Sequence, residues 1–334
     1  MIIKKRTIPI RIQKNDALLR RMPKNHKVRA KIEEDLARRW AGYRGEAALD
    51  FHLSKLSENE YMIFHGIRLT NGKYFFQIDT LILSAKFALI LEVKNFSGTL
   101  FFDPQFNQMI QTTLNGEERG YPHPIEQANL QAEELKKWLS KRGFNLPVEF
   151  FIVISKPSTI LRTSPGNSQI NQKIIHSQYL ISKIDKVSMS YKEKQLDIKT
   201  LKKVSKSILK EHTPESIDIL KFYKISMDEI LTGVLCPVCI AKPMERRDGS
   251  WLCEACRLLS SNAHFKTVAD LFLLNNGVPV FNKQFREFLH LPSPHISRRI
   301  LESLNLPQTG TGKGRRYLPP PSYQDFADLD IQLY

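Results

Sequence analysis

The chain has 334 residues, 42% of them apolar, which allows two or three cores and excludes a disordered chain. Fifty Lys and Arg against 34 Asp and Glu leave a formal charge of +16, which favours polyanionic partners through counterion release. No apolar run approaches the ~20 residues of a spanning helix, and the basic start at residues 1–6 has no apolar stretch behind it; the expectation is a cytoplasmic protein with no membrane partner.

In chain order, residues 1–40 read as a basic arm, with 14 basic and 4 acidic groups up to residue 45 and weak helical periodicity at Val28, Ile32 and Leu36. A helix is predicted over 41–56, with Ala47, Ala48, Phe51 and Leu56 as its apolar positions. Strands follow at 61–69, 74–83 and 87–94, the first two joined by the turn dipeptide Asn71-Gly72. Shorter strands are predicted at 99–102 and 108–114. Pro124 opens a helix in which Ile125, Ala128, Ala132, Leu135 and Leu139 share one face, and Gly143 ends it. A buried strand is expected at 150–154. This order gives an α/β fold, a mixed sheet flanked by helices, as a domain over 41–160. Residues 161–230 read as a Lys-rich linker and helical region, with an amphipathic helix at 196–211.

Charged residues interrupt the predicted strands. Asp79 breaks one apolar run, and Glu92 and Lys94 break the next; two apart on a strand, these last two share a face. Burying such charges costs several kcal/mol each unless they are paired or bind a cation. A structural ion pair of Lys94 with Asp79 or Glu92 is one reading. The other is a phosphodiesterase site, in which paired carboxylates offer hard oxygen ligands to Mg²⁺ or Mn²⁺, the ion activates water, and the lysine steadies the charge that builds on phosphate.

Four stretches carry a resemblance: Gly45-Glu46, then Gln77-Ile78-Asp79-Thr80-Leu81-Ile82-Leu83, then Glu92-Val93-Lys94-Asn95-Phe96-Ser97-Gly98, then Pro124-Ile125-Glu126-Gln127-Ala128. Together, over residues 40–157, they resemble the nuclease-related domain family (NERD), which is similar to the PD-(D/E)xK nucleases of restriction-endonuclease-like fold. The resemblance implies that Asp79 and Glu92 hold Mg²⁺ or Mn²⁺ and that Lys94 is the catalytic lysine. It implies that Glu46 completes the acidic cluster, as a ligand or through water, and that Gln127 organises the site. Helical arithmetic puts Gln127 and Gln131 on the shoulder of their helix's apolar face. His123 departs from the asparagine the family often shows there.

All four cysteines lie in two knuckles, Cys236-Pro-Val-Cys239 and Cys253-Glu-Ala-Cys256. This spacing predicts a structural Cys₄ zinc ribbon at 231–262. Residues 263–318 read as three helices and a basic hairpin, a winged helix-turn-helix-like unit. Ser297, Arg298 and Arg299 would face nucleic acid from its recognition helix, with Lys313, Arg315 and Arg316 on phosphates; residues 319–334 form a tail. The expected function is a Mg²⁺-dependent deoxyribonuclease, with DNA repair or defence against foreign DNA implied by the resemblance alone. The alternatives are a non-catalytic DNA-binding regulator and an RNA nuclease. The oligomeric state is open, a dimer included.

Overall fold

The computed structural model describes residues 1–240 and 243–320, apart from the side chains of Ser168, Gln169 and Lys313. The expected tail lies outside the described residues from position 321 on. The chain begins with β1 (Ile2–Lys4), α1 (Ile10–Arg21), α2 (Arg29–Ala47) and α3 (Asp50–Leu53). Strands β2 (Met62–Thr70), β3 (Phe75–Leu83), β4 (Ala88–Lys94), β5 (Thr99–Asp103), β6 (Gln108–Thr112) and β7 (Glu118–Pro122) follow. Next come α4 (Pro124–Ser140), β8 (Val148–Ile154), β9 (Ile160–Thr163), α5 (Ser168–Lys173), β10 (Ile174–His176), α6 (Leu180–Ser190), α7 (Ile198–Glu211) and α8 (Ile219–Tyr223). The remainder holds β11 (Glu245–Arg247), β12 (Ser250–Leu252), β13 (Leu259–Ser260), α9 (His264–Leu274), β14 (Val280–Phe281), α10 (Asn282–Leu289), α11 (Pro294–Ser303), β15 (Gln308–Thr309) and β16 (Arg316–Tyr317).

Two compact units result, one from residues 1–8 and 38–215, the other from 9–37 and 216 onward. In the first, the described residues form a six-stranded mixed sheet in the order β1-β2-β3-β4-β8-β10. Its centre, β4 beside β8, is parallel, and β2, β3 and β4 run antiparallel to one another. The near-continuous apolar runs of β4 and β8 suit strands covered on both faces. One face packs α4 through Ile125, Ala128, Leu135 and Leu139, and α7 through Leu201, Val204 and Ile208. The other packs Leu49 and Leu53 beneath α6 residues Leu180 and Ile184. A second sheet, β7-β6-β5-β9, adds Leu100, Phe102 and Met109 to the α4 side.

The structure is a mixed α/β fold, as the pattern implies, with local differences. The helix expected at 41–56 ends at Ala47 and restarts as α3, so Phe51 is exposed and Leu49 and Leu53 are buried instead. The linker expected at 161–230 belongs largely to the first unit, because β10 pairs parallel with β8 and α7 buries its apolar stripe.

Residues 1–40 do not form a separate arm. β1 joins the first unit's sheet, and α1 buries Ala17, Leu18 and Met22 in the second unit against Leu273 and Leu274. Arg21 is fully buried there, donating to Asp270 Oδ2 at 2.8 Å and to the carbonyls of Leu231 and Gly233. Buried Lys14, Asn15 and Arg21 interrupt the apolar periodicity of α1. The ribbon residues Cys236, Trp251 and Cys253 share one core with α9, α10 and α11, through Val268, Phe285 and Ile300. Ribbon and helices, expected as separate domains at 231–262 and 263–318, are therefore one packed body.

Candidate active site

β3 and β4 part company at Asp79. Their ladder stops at the pair Thr80–Leu91. On the other side of β3, the ladder with β2 skips Gly66 and Asp79, where Gly66 adopts a φ of +58°. Beyond the fork, the Val93 N–H donates to Asp79 Oδ2 at 3.0 Å instead of to a strand carbonyl. The fork is what brings the Asp79 carboxylate beside the end of β4.

Glu92 is buried on the α4 face, in register with Ile152 of β8. Both its oxygens are engaged. Oε1 accepts from Lys94 Nζ at 2.8 Å and from Gln127 Nε2 at 2.7 Å, and Oε2 accepts from Gln131 Nε2 at 2.8 Å. Lys94 Nζ also donates to Gln127 Oε1 at 3.0 Å. Pro124 and the His123 side chain, which accepts from the Ile125 N–H, start α4 so that Gln127 and Gln131, one turn apart, face the sheet end. The Lys94–Glu92 ion pair foreseen as the structural reading is thus present, inside a larger network.

Glu46 arrives from the last turn of α2. Gly45 makes this approach feasible: a Cβ there would sit 2.5 Å from Asn95 Cβ, which real contacts essentially never do. Asn95, just past Lys94, donates to the Ala41 carbonyl at 2.7 Å and locks the helix to the strand end.

Sequence reasoning missed Arg6 and His65. Arg6 Nη1 donates to Glu46 Oε2 at 2.7 Å, and Nη2 to Asp50 Oδ1 at 2.9 Å and His65 Nδ1 at 2.8 Å. Because a guanidinium can only donate, His65 Nδ1 must carry a lone pair. Burial, and then the charge of Arg6, lower the His65 pKa to about 4, so its imidazole is neutral at pH 7.

The carboxylates repel one another. Loss of hydration, followed by the charges of Glu92 and Glu46, raises the Asp79 pKa well above its ordinary value. Loss of hydration raises that of Glu46 to about 7, against the pull of Arg6. The charges of Glu46, Asp50, Asp79 and Glu92 are offset within this group only by Arg6 and Lys94. Fully ionised, the group carries a surplus of two negative charges, which one divalent cation would balance. A donor set of carboxylate oxygens suits a hard ion.

Residues 41–155 match the family model of NERD, described as the nuclease-related domain. This chain carries a nuclease-related domain. The match spans α2's last turns, the fork, Glu92, Lys94 and α4. No curated protein and no solved structure matches the chain. A nuclease-related domain implies nucleic acid as the class of substrate and the use of a divalent metal.

The four cysteines converge in the second unit, with their sulfurs all within 4.8 Å of one another. The pairs Cys236–Cys256 and Cys239–Cys253 stand 3.6 and 3.4 Å apart. Tetrahedral Zn²⁺ with ~2.3 Å bonds needs sulfurs about 3.8 Å apart, so the cluster fits a closed zinc site. Each knuckle ends in a residue at positive φ, Ile240 at 52° and Arg257 at 61°. Those residues return their N–H to the carbonyls of Cys236 and Cys253. Trp251 is buried and donates to His264 Nδ1 at 3.1 Å, a packing role.

The predicted nucleic-acid residues divide. Arg298 and Arg299 are exposed on α11, with Arg298 in a 2.8 Å pair with Glu302. Arg316 stacks over Phe281 at 4.8 Å, and Arg315 lines a groove of about 600 Å³ with Lys283 and Arg298. Ser297 is a correction: it is fully buried, its hydroxyl donating to the Asn282 carbonyl at 3.4 Å. It precedes Ile300 and Leu301 by three and four residues and so shares their inward face. The Lys313 side chain lies outside the described residues. Among the described residues, no helix is long and apolar enough to cross a membrane.

Proposed function

We propose that this protein is a Mg²⁺- or Mn²⁺-dependent nuclease that hydrolyses phosphodiester bonds of DNA. The observation that carries this reading is the joining of Asp79 and Glu92 at one strand fork, with Lys94 and Gln127 on Glu92 and Glu46 beside them. Asp79 and Glu92 would hold the cation, and Glu46 would add its carboxylate directly or through water. When bound, the cation supplies Lewis-acid activation of water and offsets charge on the phosphate.

Lys94 commits two of its three N–H groups, to Glu92 and Gln127, and its side chain is 21% exposed. The third N–H has no partner among the described residues, leaving it free to donate to a phosphate oxygen or to orient the attacking water. Gln127 bridges Glu92 and Lys94, so both groups are held before substrate arrives. Asp79 is held at the fork by the Val93 N–H, which engages Oδ2.

The second unit supplies grip. Helices α9, α10 and α11 with the sheet β14-β16-β15 have the element order of a winged helix-turn-helix. Arg298, Arg299, Arg315 and Arg316 would meet phosphates, and Zn²⁺ on the four cysteines would hold the ribbon against the same core.

The test is incubation of the full, zinc-replete chain with plasmid DNA and with an RNA of similar length, in Mg²⁺ or Mn²⁺, beside Asp79→Ala and Lys94→Ala. Cutting of DNA by the wild type that both variants lack supports the reading. Cutting confined to RNA replaces the substrate, and cutting no better than the variants leaves a nucleic-acid-binding scaffold.

A further inference from the structure

The strand β1 carries the chain alongside β2, pairing Ile2 with Ile63 and Lys4 with Phe64. Lys4 Nζ donates to the His65 carbonyl at 2.7 Å and steadies this edge. Two residues on, Arg6 enters the carboxylate cluster with its side chain only 7% exposed. Its planar fork serves two carboxylates at once, Nη1 on Glu46 and Nη2 on Asp50. Nη2 also meets His65, whose ring nitrogen lies 3.2 Å from Thr80 Oγ1, next in sequence to Asp79. One side chain therefore ties the end of α2 to the strand that bears Asp79.

Two physical effects act in opposite directions here. A fixed positive charge beside a cation site lowers cation affinity by repulsion. Fixing a flexible glutamate raises it, because a ligand held in place loses no rotamer freedom when the ion arrives. Arg6 engages Oε2 of Glu46, and Oε1 has no partner among the described residues. Resting on the metal-site reading above, we propose that Arg6 is a positioning residue that holds Glu46 in place as the carboxylate that completes the cation site through water. The N-terminal segment is then part of the site's construction and not a basic arm for gripping DNA.

The experiment is Mn²⁺ binding to the full, zinc-replete chain without DNA, read as free Mn²⁺ by electron paramagnetic resonance. The proteins are wild type, Arg6→Gln, Arg6→Lys, Glu46→Gln, the double variant Arg6→Gln/Glu46→Gln, and Asp79→Ala. The positioning account predicts about 10- to 100-fold weaker binding for Arg6→Gln. Arg6→Lys loses affinity too, since one ammonium cannot replace the fork, and it carries the measurement if Arg6→Gln does not fold. In the Glu46→Gln background Arg6→Gln should add less than threefold, because its effect runs through Glu46. Unchanged or tighter binding by Arg6→Gln, or an equal loss in both backgrounds, overturns the proposal while leaving the cation site standing. Wild-type binding that Asp79→Ala does not reduce overturns the cation site itself, and Arg6's role with it.

Discussion

Asp79 accepts the Val93 N–H at 3.0 Å, across the point where β3 and β4 separate. The bond does two things. It satisfies a backbone donor that the fork would leave unpaired, and it fixes a carboxylate beside the buried Glu92. Fold and site are joined at this contact, so changes near it should move both.

Gly45→Ala should separate packing from chemistry. The added methyl meets Asn95 and forces α2 away from the strand end. We expect a loss of about 1–3 kcal/mol in stability and a fall in DNA cleavage. Pairing it with Asn95→Gly, which removes the Cβ that the new methyl meets, should recover part of both. No recovery in chemical unfolding or in cleavage would contradict this steric account.

Ile240→Gly should stabilise the ribbon. A β-branched residue at a φ of 52° carries a strain of about 1–2 kcal/mol that glycine lacks. The expected result is slower zinc release to a chelator. Release as fast as or faster than wild type would show that the knuckle is not strained there.

Arg299→Ala should weaken DNA binding across sequences and lower the slope of binding against salt by about one. Ser297→Ala, at a buried position, should leave that slope unchanged. Equal salt slopes for wild type and Arg299→Ala would remove α11 from the DNA surface.

His65 sets an acid limit on the first unit. Its folded pKa, lowered to about 4, lies below the ordinary value of 6.5. Between these values the unfolded chain binds the proton and the folded chain does not, so stability falls as pH drops from 6.5 towards 4 and levels off below. His65→Gln removes this component while keeping an oxygen that Arg6 can reach. Thermal unfolding midpoints from pH 7 to 4 should fall less steeply for the variant; parallel curves would refute the assignment.

Much of the candidate site is legible in the sequence because its residues break strong local patterns. Asp79, Glu92 and Lys94 are charges inside apolar strands, and Gln127 follows a proline that fixes where its helix starts. Arg6 left no such signal. Its partners lie 40 to 74 residues away, and it sits in a run of basic residues that reads as solvated. Residues 174–176 show only two adjacent isoleucines, too few for a period, yet they pair with β8 as the sheet's edge. Ser297 stands beside Arg298 and Arg299 in sequence, but it precedes Ile300 and Leu301 by three and four residues, and that helical period turns it inward.

The most direct measurement is DNA cleavage in Mg²⁺ by Asp79→Asn. Asparagine keeps an oxygen for the Val93 N–H, so the fork and the unfolding midpoint should stay close to wild type while the ligand charge is lost. The account predicts cleavage reduced at least a hundredfold in a folded protein. Asp79→Asn cutting DNA as fast as the wild type would contradict it.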